Sequence, residues 1–232
     1  MPYTMLGWHF LASDKRLRYN DNRLVQVGET YSARGGFFSG YETPTLCEFG
    51  LHACDSIIDA LNYAPGPILC RVELSGNIVI GKNKAVAWDR RVLSMFDATS
   101  VLFEFGCLCA EDALKIISYP DPRSIDCVEA VRGWLRGEVK YDELDAARTA
   151  AKVAIMDANN SITYANAARS VARAAAACAS DFATCAASTT ADEAANVAVW
   201  LIEEYVDREA ARKDIRARQN NQLLDLVMRE CA

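Results

Sequence analysis

Histidine is scarce in this sequence, with only His9 and His52 among 232 residues. Glycine-rich phosphate loops of the GxGxxG and GxxxxGK[ST] types are absent, as is the GxSxG turn that carries a serine nucleophile. These absences exclude the motif-defined dinucleotide, P-loop and serine-hydrolase sites. Any site that uses an imidazole must be built around one of two residues.

Long apolar runs are also missing, because no stretch approaches the roughly 20 residues that a membrane span requires. The opening residues MPYTMLGWHF lack the basic region and long apolar core of a signal peptide. Cysteine, in contrast, is frequent, and the nine cysteines lie scattered in apolar surroundings. In a reducing compartment such cysteines act as small hydrophobic thiols. We therefore expect a cytoplasmic protein without membrane association.

The charge balance lacks a basic excess, since 25 lysines and arginines face 31 aspartates and glutamates, for a net charge of −6. Sequence-independent DNA binding depends on a basic footprint, so this composition argues against it. No acidic run is dense enough to imitate a nucleic acid. With 51% hydrophobic and 24% charged residues, the chain has the composition of a globular protein with a buried core.

The first half of the chain has the two-residue periodicity of strands. The segment ILCRVELSG, residues 68–76, alternates apolar and polar positions and is the clearest strand. Residues 24–29 also alternate and predict a half-buried strand. Residues 55–64 predict a short helix with Asp55 as its N-cap. We expect a small, mostly antiparallel sheet domain with one short helix over residues 1–96.

After residue 96 the periodicity changes to that of helices. Apolar residues recur at helical spacing, and more than a third of residues 141–200 are alanine, the best helix former. Thr190 and Glu193 have the spacing of a capping box, which predicts a helix start. The predicted fold class is α+β: an alanine-rich, all-helical domain over residues 97–232 follows the sheet domain. It is either a bundle or a stacked-hairpin array.

Cys47, His52 and Cys54 form a Cys-x4-His-x-Cys spacing that raises the question of a metal site. Structural zinc takes four ligands, often as two close pairs, and here the fourth ligand would have to come from a distant cysteine. Two buried thiols beside a core histidine explain the pattern without a metal. Cysteine catalysis needs an exposed thiol in electropositive surroundings, and packing is favoured over it too. We expect no metal, no cofactor and no catalytic residue.

The segments GWHF, VGETY, GLHAC, NYA and CRVELSG follow one another in an order that resembles an uncharacterised domain of phage and prophage proteins, over about residues 5–96. The helical half, through RGWLRGEVKYDELDAARTAAKVA and RQNNQLLDLV, is similar to helical domains of immunity-like and phage accessory proteins. These resemblances imply a protein of a mobile element that works in the host cytoplasm. The role that they imply is counter-defence, as in anti-CRISPR-like proteins, or immunity.

The stretch from GLHAC to CRVELSG also resembles the middle of ADP-ribosyltransferase folds, in which a strand, a short helix and another strand line a nicotinamide cleft. The resemblance implies that His9 holds a ribose and that Tyr31 or Tyr63 stacks on the nicotinamide. It also implies that Glu73 or Glu104 stabilises the oxocarbenium-like centre. The serine–threonine–serine motif of such folds is replaced by His-Ala-Cys. This departure favours a cleft that binds a nucleotide without turnover, with these candidate residues: His9, Tyr31, His52, Tyr63 and Glu73.

The leading functional hypothesis is non-catalytic: the protein binds and inhibits, or shields, a bacterial protein or ribonucleoprotein complex. The absence of any complete catalytic motif supports it, together with the large helical surface. The alternative hypothesis is an ADP-ribosyltransferase-like nucleotide-binding domain. Association into a homodimer is a further expectation, because alanine-rich faces pack closely yet bury little area per residue.

The helical half supplies the candidate partner-binding residues. Trp134 and Trp200 are large anchors of the kind that dominate interface energetics. Arg169 and Arg173 lie four residues apart on a predicted helix. They extend a basic stripe that also contains Arg132, Arg136 and Arg148. The alternatives are structural: the tryptophans fill the helical core, and the arginines belong to a solvated helix face.

Overall fold

The structure, a computed structural model, describes residues 3–19, 21–34, 43–157, 170, 173, 174, 176, 182–200 and 207–230. The chain divides into two compact units, Met1–Ala98 and Thr99–Ala232. The boundary predicted from the sequence falls after residue 96. Helices and antiparallel sheets are both present, so the mixed α and β class is confirmed. None of the helices in the described ranges is long and apolar enough to cross a membrane.

The described part of the first unit contains seven strands and one helix. They are β1 (Met5–Leu11), β2 (Thr30–Ser32), β3 (Leu51–Ala53), α1 (Ile57–Leu61), β4 (Ile68–Ser75), β5 (Val79–Ile80), β6 (Ala85–Ala87) and β7 (Asp89–Asp97). The strands form two antiparallel sheets, one with the order β1-β4-β7-β2 and one with the order β3-β6-β5. Residues of both sheets contribute to one apolar core.

Strand β4 is the centre of the larger sheet, because it pairs with β1 on one side and with β7 on the other. The alternation that predicted this strand places Cys70, Val72 and Leu74 on one face, where all three side chains are fully buried. They belong to the same apolar cluster as Ala85 and Ala87 of the smaller sheet. Burial of apolar area is the dominant favourable term in folding, so this cluster holds the first unit together.

Strand β7 carries a β-bulge that changes which of its residues face the core. The pairing with β4 shifts between Arg71 and Val72, and Leu93 is left without a partner on β4. A bulge adds one residue and so reverses the alternation of side chains beyond it. Val92 and Arg90 therefore face the core, where Val92 is 1% and Arg90 only 3% exposed.

Two local predictions for the first unit are wrong. Residues 24–29 form no strand, because Gly28 adopts a φ of +89° that interrupts the extended chain. The short helix is present, but its N-cap is Ser56 and not Asp55. The Ser56 hydroxyl accepts a hydrogen bond from the backbone N–H of Asp59, which satisfies one of the free donors of the first turn.

The elements of the second unit, in its described part, are all helices. They are α2 (Thr99–Ile116), α3 (Pro122–Leu135), α4 (Tyr141–Asp157), α5 (Ala183–Trp200) and α6 (Arg208–Glu230). Helix α2 packs against α3, α5 and α6, while α3 packs on α4 and α5 packs on α6. Small side chains allow the close approach of α2 and α5. The fully buried alanines of these two helices are Ala110, Ala113, Ala186, Ala187, Ala191 and Ala195.

The predicted helix start at Thr190 is wrong, because Thr190 lies inside α5 and is fully buried. Its hydroxyl donates a hydrogen bond to the carbonyl oxygen of Ala174, at 3.3 Å. A Thr-x-x-Glu spacing caps a helix only where the chain enters it, and here the preceding alanines extend the helix upstream. Gln219 of α6 is also buried, and its Nε2 donates to the carbonyl oxygen of Ala191 at 2.8 Å.

Gly50 and Gly28 offer a matched pair of substitutions. Both have positive φ, but a Cβ on Gly50 would lie 2.5 Å from Val86 Cγ2, whereas a Cβ on Gly28 would meet nothing within 4 Å. We expect Gly28→Ala to cost about 1 kcal/mol of backbone strain and Gly50→Ala to cost about 1–3 kcal/mol more, because of overpacking. Hydrogen exchange of the β6 amides under increasing urea measures both costs. Equal losses in the two variants would contradict the steric account.

Candidate functional site

The predicted nucleotide cleft is divided by the sheet. His9 of β1 pairs with Cys70 of β4, so both side chains lie on the core face. Glu73 is three residues beyond Cys70 and pairs with Leu6 and Arg91, which places it on the opposite face. The proposed catalytic carboxylate and the proposed ribose-binding imidazole are therefore separated by the thickness of the sheet.

His52 has a structural environment. Its Nε2 accepts a hydrogen bond from the backbone N–H of Cys47 at 3.1 Å, so this nitrogen already has a partner within the protein. Burial lowers the pKa of His52, and the positive charges of Lys84 and Arg90 lower it further. A neutral imidazole thus fastens the turn around Cys47 to β3. Across the described residues, no group of three or more histidine, cysteine or acidic side chains is arranged to hold a metal ion.

The two candidate tyrosines have separate partners. The Tyr31 hydroxyl donates to the carbonyl oxygen of Leu24 at 2.9 Å and accepts the N–H of Gln26 at 2.8 Å. The Tyr31 side chain is 7% exposed, so it anchors the irregular segment that replaces the predicted strand. Tyr63 is half exposed, and its ring lies 4.3 Å from the ammonium of Lys84. No contact between the two tyrosines is present among the described residues.

The buried thiols of the first unit are not nucleophiles. Burial raises the pKa of Cys54 to about 12, and the nearby Asp59 adds to the effect. Burial also raises the pKa of Cys70 to about 11, against a smaller lowering by Arg90. Because the thiolate is the reactive form, both cysteines are inert at neutral pH. Their role is packing in the core.

The residue that sequence reasoning missed is Arg90. It is 3% exposed, and its Nη1 donates to the carbonyl oxygen of His52 at 2.8 Å. Its Nε is buried and has no hydrogen-bond partner among the described residues. Burial lowers the pKa of Arg90 to about 10, so the guanidinium is still charged at neutral pH. The run Asp-Arg-Arg-Val gives no signal, since the bulge decides which arginine points inward.

His9 is the second polar group on this face. It is half-buried, and its pKa lies well below the usual value because of burial, with smaller effects from the charges of Arg90 and His52. The imidazole is therefore neutral at pH 7. The first unit thus places a charged guanidinium and a neutral imidazole on the inner face of the larger sheet.

A basic groove lies in the second unit, with a volume of about 360 Å³. Its polar and larger apolar lining residues are Arg148, Lys152 and Ile155 of α4, Arg173, and Thr189 and Glu193 of α5. Arg148 and Arg173 belong to the basic stripe predicted from the sequence. Arg132 and Arg136 of that stripe instead pair with Glu111 and Glu138, and Arg169 lies outside the described residues.

The apolar candidates for partner binding are largely committed to the helical unit. The half-buried ring of Trp134 packs edge-on against Phe103, with ring centroids 5.2 Å apart. Leu223 and Val227 near the end of α6 are 0% and 1% exposed. Trp200 ends α5, and its side chain lies outside the described part of the structure. The groove, and not these anchors, is the accessible feature.

Comparison with known proteins gives no match: no family model, no curated protein and no solved structure matches this chain. The resemblances to phage domains and to ADP-ribosyltransferase folds therefore stay predictions. The function has to be argued from the chain's own residues, which are the buried Arg90 in the first unit and the basic groove in the second.

The lowered pKa values of His9 and His52 predict acid sensitivity of the first unit. Above a pH of about 6.5, the pKa of histidine in an unfolded chain, both imidazoles are neutral in the folded and the unfolded state. Below this pH the imidazoles of the unfolded chain bind protons, whereas those of the folded unit stay neutral. The free energy of unfolding therefore falls as the pH falls. Each histidine removes up to about 1.4 kcal/mol per pH unit. We expect His9→Gln to flatten the decline between pH 7 and 5.5, measured by hydrogen exchange of β4. Parallel pH profiles for the two proteins would show that His9 does not contribute.

Proposed function

We propose that this protein acts without catalysis, as a binding protein whose helical unit takes an acidic segment of a macromolecular partner into the basic groove. The observation that carries the proposal is the charge of the groove. The second unit contains 15 basic and 21 acidic residues, yet three basic side chains and one acidic side chain line the groove. The groove is therefore positively charged within a unit whose net charge is negative. A positive groove favours the binding of an acidic segment.

The basic side chains of the groove differ in whether they form ion pairs within the protein. Arg148 is held by Asp145, with Nη2 and Oδ1 2.5 Å apart, and only 18% of its side chain is exposed. Lys152 and Arg173 are exposed and have no ion-pair partner within the described ranges. A carboxylate from a partner would pair with these two cations at a modest entropic cost, because the groove walls are already formed by α4 and α5.

The volume and the lining residues of the groove limit which kind of partner segment fits into it. A volume of about 360 Å³ lies at the lower end of the range for ligand sites, so it accommodates a few side chains and not a folded domain. Ile155 and Ala176 supply an apolar wall beside the cations. A short segment that alternates acidic and small apolar residues fits both features.

The resemblance to phage accessory proteins supplies the biological setting of this proposal. In that setting the partner is a bacterial protein or ribonucleoprotein complex, and binding blocks a host defence. The helical unit is taken as one bundle, because α2 contacts three other helices and not only its chain neighbours. ADP-ribosyl transfer has no support, because Glu73 and His9 lie on opposite faces of the sheet and Glu104 lies in α2 of the other unit.

The groove proposal is tested with a fluorescent hexaglutamate peptide as the probe, by anisotropy at low salt. We expect the native chain to bind it and the double variant Lys152→Glu/Arg173→Glu to lose at least about tenfold in affinity, since each lost charge pair contributes on the order of 1 kcal/mol. Lys213→Glu/Arg218→Glu, at two exposed positions of α6, changes the net charge by the same four units and is the control. Equal losses in the control and in the Lys152→Glu/Arg173→Glu variant would overturn the groove as the site.

The same variants test the partner. Proteins captured from a bacterial lysate are compared between the native chain, the control and the Lys152→Glu/Arg173→Glu variant. A partner retained by the native chain and by Lys213→Glu/Arg218→Glu but lost by the Lys152→Glu/Arg173→Glu variant supports docking in the groove. A partner retained by all three binds elsewhere, and the proposed function fails.

A further inference from the structure

Arg90 is a buried charge without a counter-ion among the described residues. Asp21 is the one acidic residue whose charge acts on the pKa of Arg90. The Asp21 carboxylate is already held by Arg23, with Nε to Oδ1 at 2.6 Å and Nη2 to Oδ2 at 2.7 Å. No carboxylate of the described residues forms an ion pair with Arg90. Unpaired buried charges are strongly unfavourable, so a folded protein that keeps one in its core commonly uses it.

One edge of the Arg90 guanidinium has no hydrogen-bond acceptor among the described residues. Nη1 is used by the carbonyl oxygen of His52. The remaining edge is formed by Nε and Nη2, and neither nitrogen donates a hydrogen bond to a described residue. These two parallel N–H groups are the edge with which arginine grips a carboxylate or a phosphate in bidentate fashion.

The surroundings of this edge suit an oxyanion. His9 and Cys70 lie on the same sheet face and close enough for the charge of Arg90 to act on both. The neutral imidazole and the protonated thiol are uncharged donors that do not repel an anion. His9 itself is only partly buried.

We propose that the first unit binds a small molecule through an oxyanion, a phosphate or a carboxylate, that docks on the Nε–Nη2 edge of Arg90, on the sheet face that also carries His9. Nε is closed off from water, so Nη2 makes the first contact and the side chains over Nε shift to admit the second oxygen. The site is independent of the basic groove, which lies in the other unit. The site is proposed as a binding site only.

The test uses the full chain and three probes: orthophosphate, pyrophosphate and succinate. A ligand that binds only the folded state raises the melting temperature, by about 5 °C at ten times Kd for a unit of this size. We expect at least one probe to do so and to slow hydrogen exchange in β4 and β7. A response to the phosphates alone assigns a phosphate ligand, and a response to succinate alone assigns a carboxylate. No response to any probe overturns the proposal.

Three variants locate the response. Arg90→Met removes the desolvation cost of a buried charge but leaves the His52 carbonyl oxygen without this donor, and it is expected to abolish the response. If that variant does not fold, Arg90→Lys retains the charge without the bidentate edge and is expected to weaken binding at least about tenfold. The neighbouring Arg91 is exposed and lies on the other face, so Arg91→Met is expected to keep the response. A response that survives in both Arg90 variants contradicts the site.

The groove variant separates this proposal from the function proposed above. The Lys152→Glu/Arg173→Glu protein is expected to retain the full response to the small anions. If it loses the response while Arg90→Met keeps it, the anions bind in the groove and the Arg90 site does not exist.

Discussion

The first unit depends on β4 being paired along both edges and buried along one face. Its apolar face packs with the smaller sheet, and its pairing with β7 positions the bulge at Leu93. The bulge is what turns Arg90 into the core. A single extra residue in one strand thus decides whether a guanidinium lies in solvent or in the interior, and the polar character of the inner face follows from it.

The two units solve the problem of close packing in different ways. In the first, β-branched and long aliphatic side chains fill the space between sheets. In the second, alanines let α2 and α5 approach closely, and each contact buries little apolar area. The groove is lined by residues of α4 and α5 and by Arg173 and Ala176.

Periodicity predicted β4, α2 and α3 because each of these elements has a repeating apolar pattern that local burial enforces. It failed for residues 24–29, where a residue with positive φ interrupts an alternating sequence, and for Thr190, where the flanking alanines override a capping pattern. The site was harder to predict. His9 was identified from its strand, but the inward position of Arg90 depends on the pairing register, and the groove combines three separate segments between residues 148 and 193. The sequence predicted His52 as a buried core residue. The structure adds that its imidazole accepts a hydrogen bond from the backbone N–H of Cys47 and so connects β3 to the turn that contains Cys47.

Alanine surfaces are smooth, and smooth helices can slide or rotate against each other at little energetic cost. Two buried hydrogen bonds limit this freedom, from Thr190 to the Ala174 carbonyl and from Gln219 to the Ala191 carbonyl. Each hydrogen bond favours one register of a helix along its neighbour. A shift by one helical turn would leave the donor buried without a partner. The helical unit therefore takes its axial register in part from two polar side chains and its compactness from many small ones.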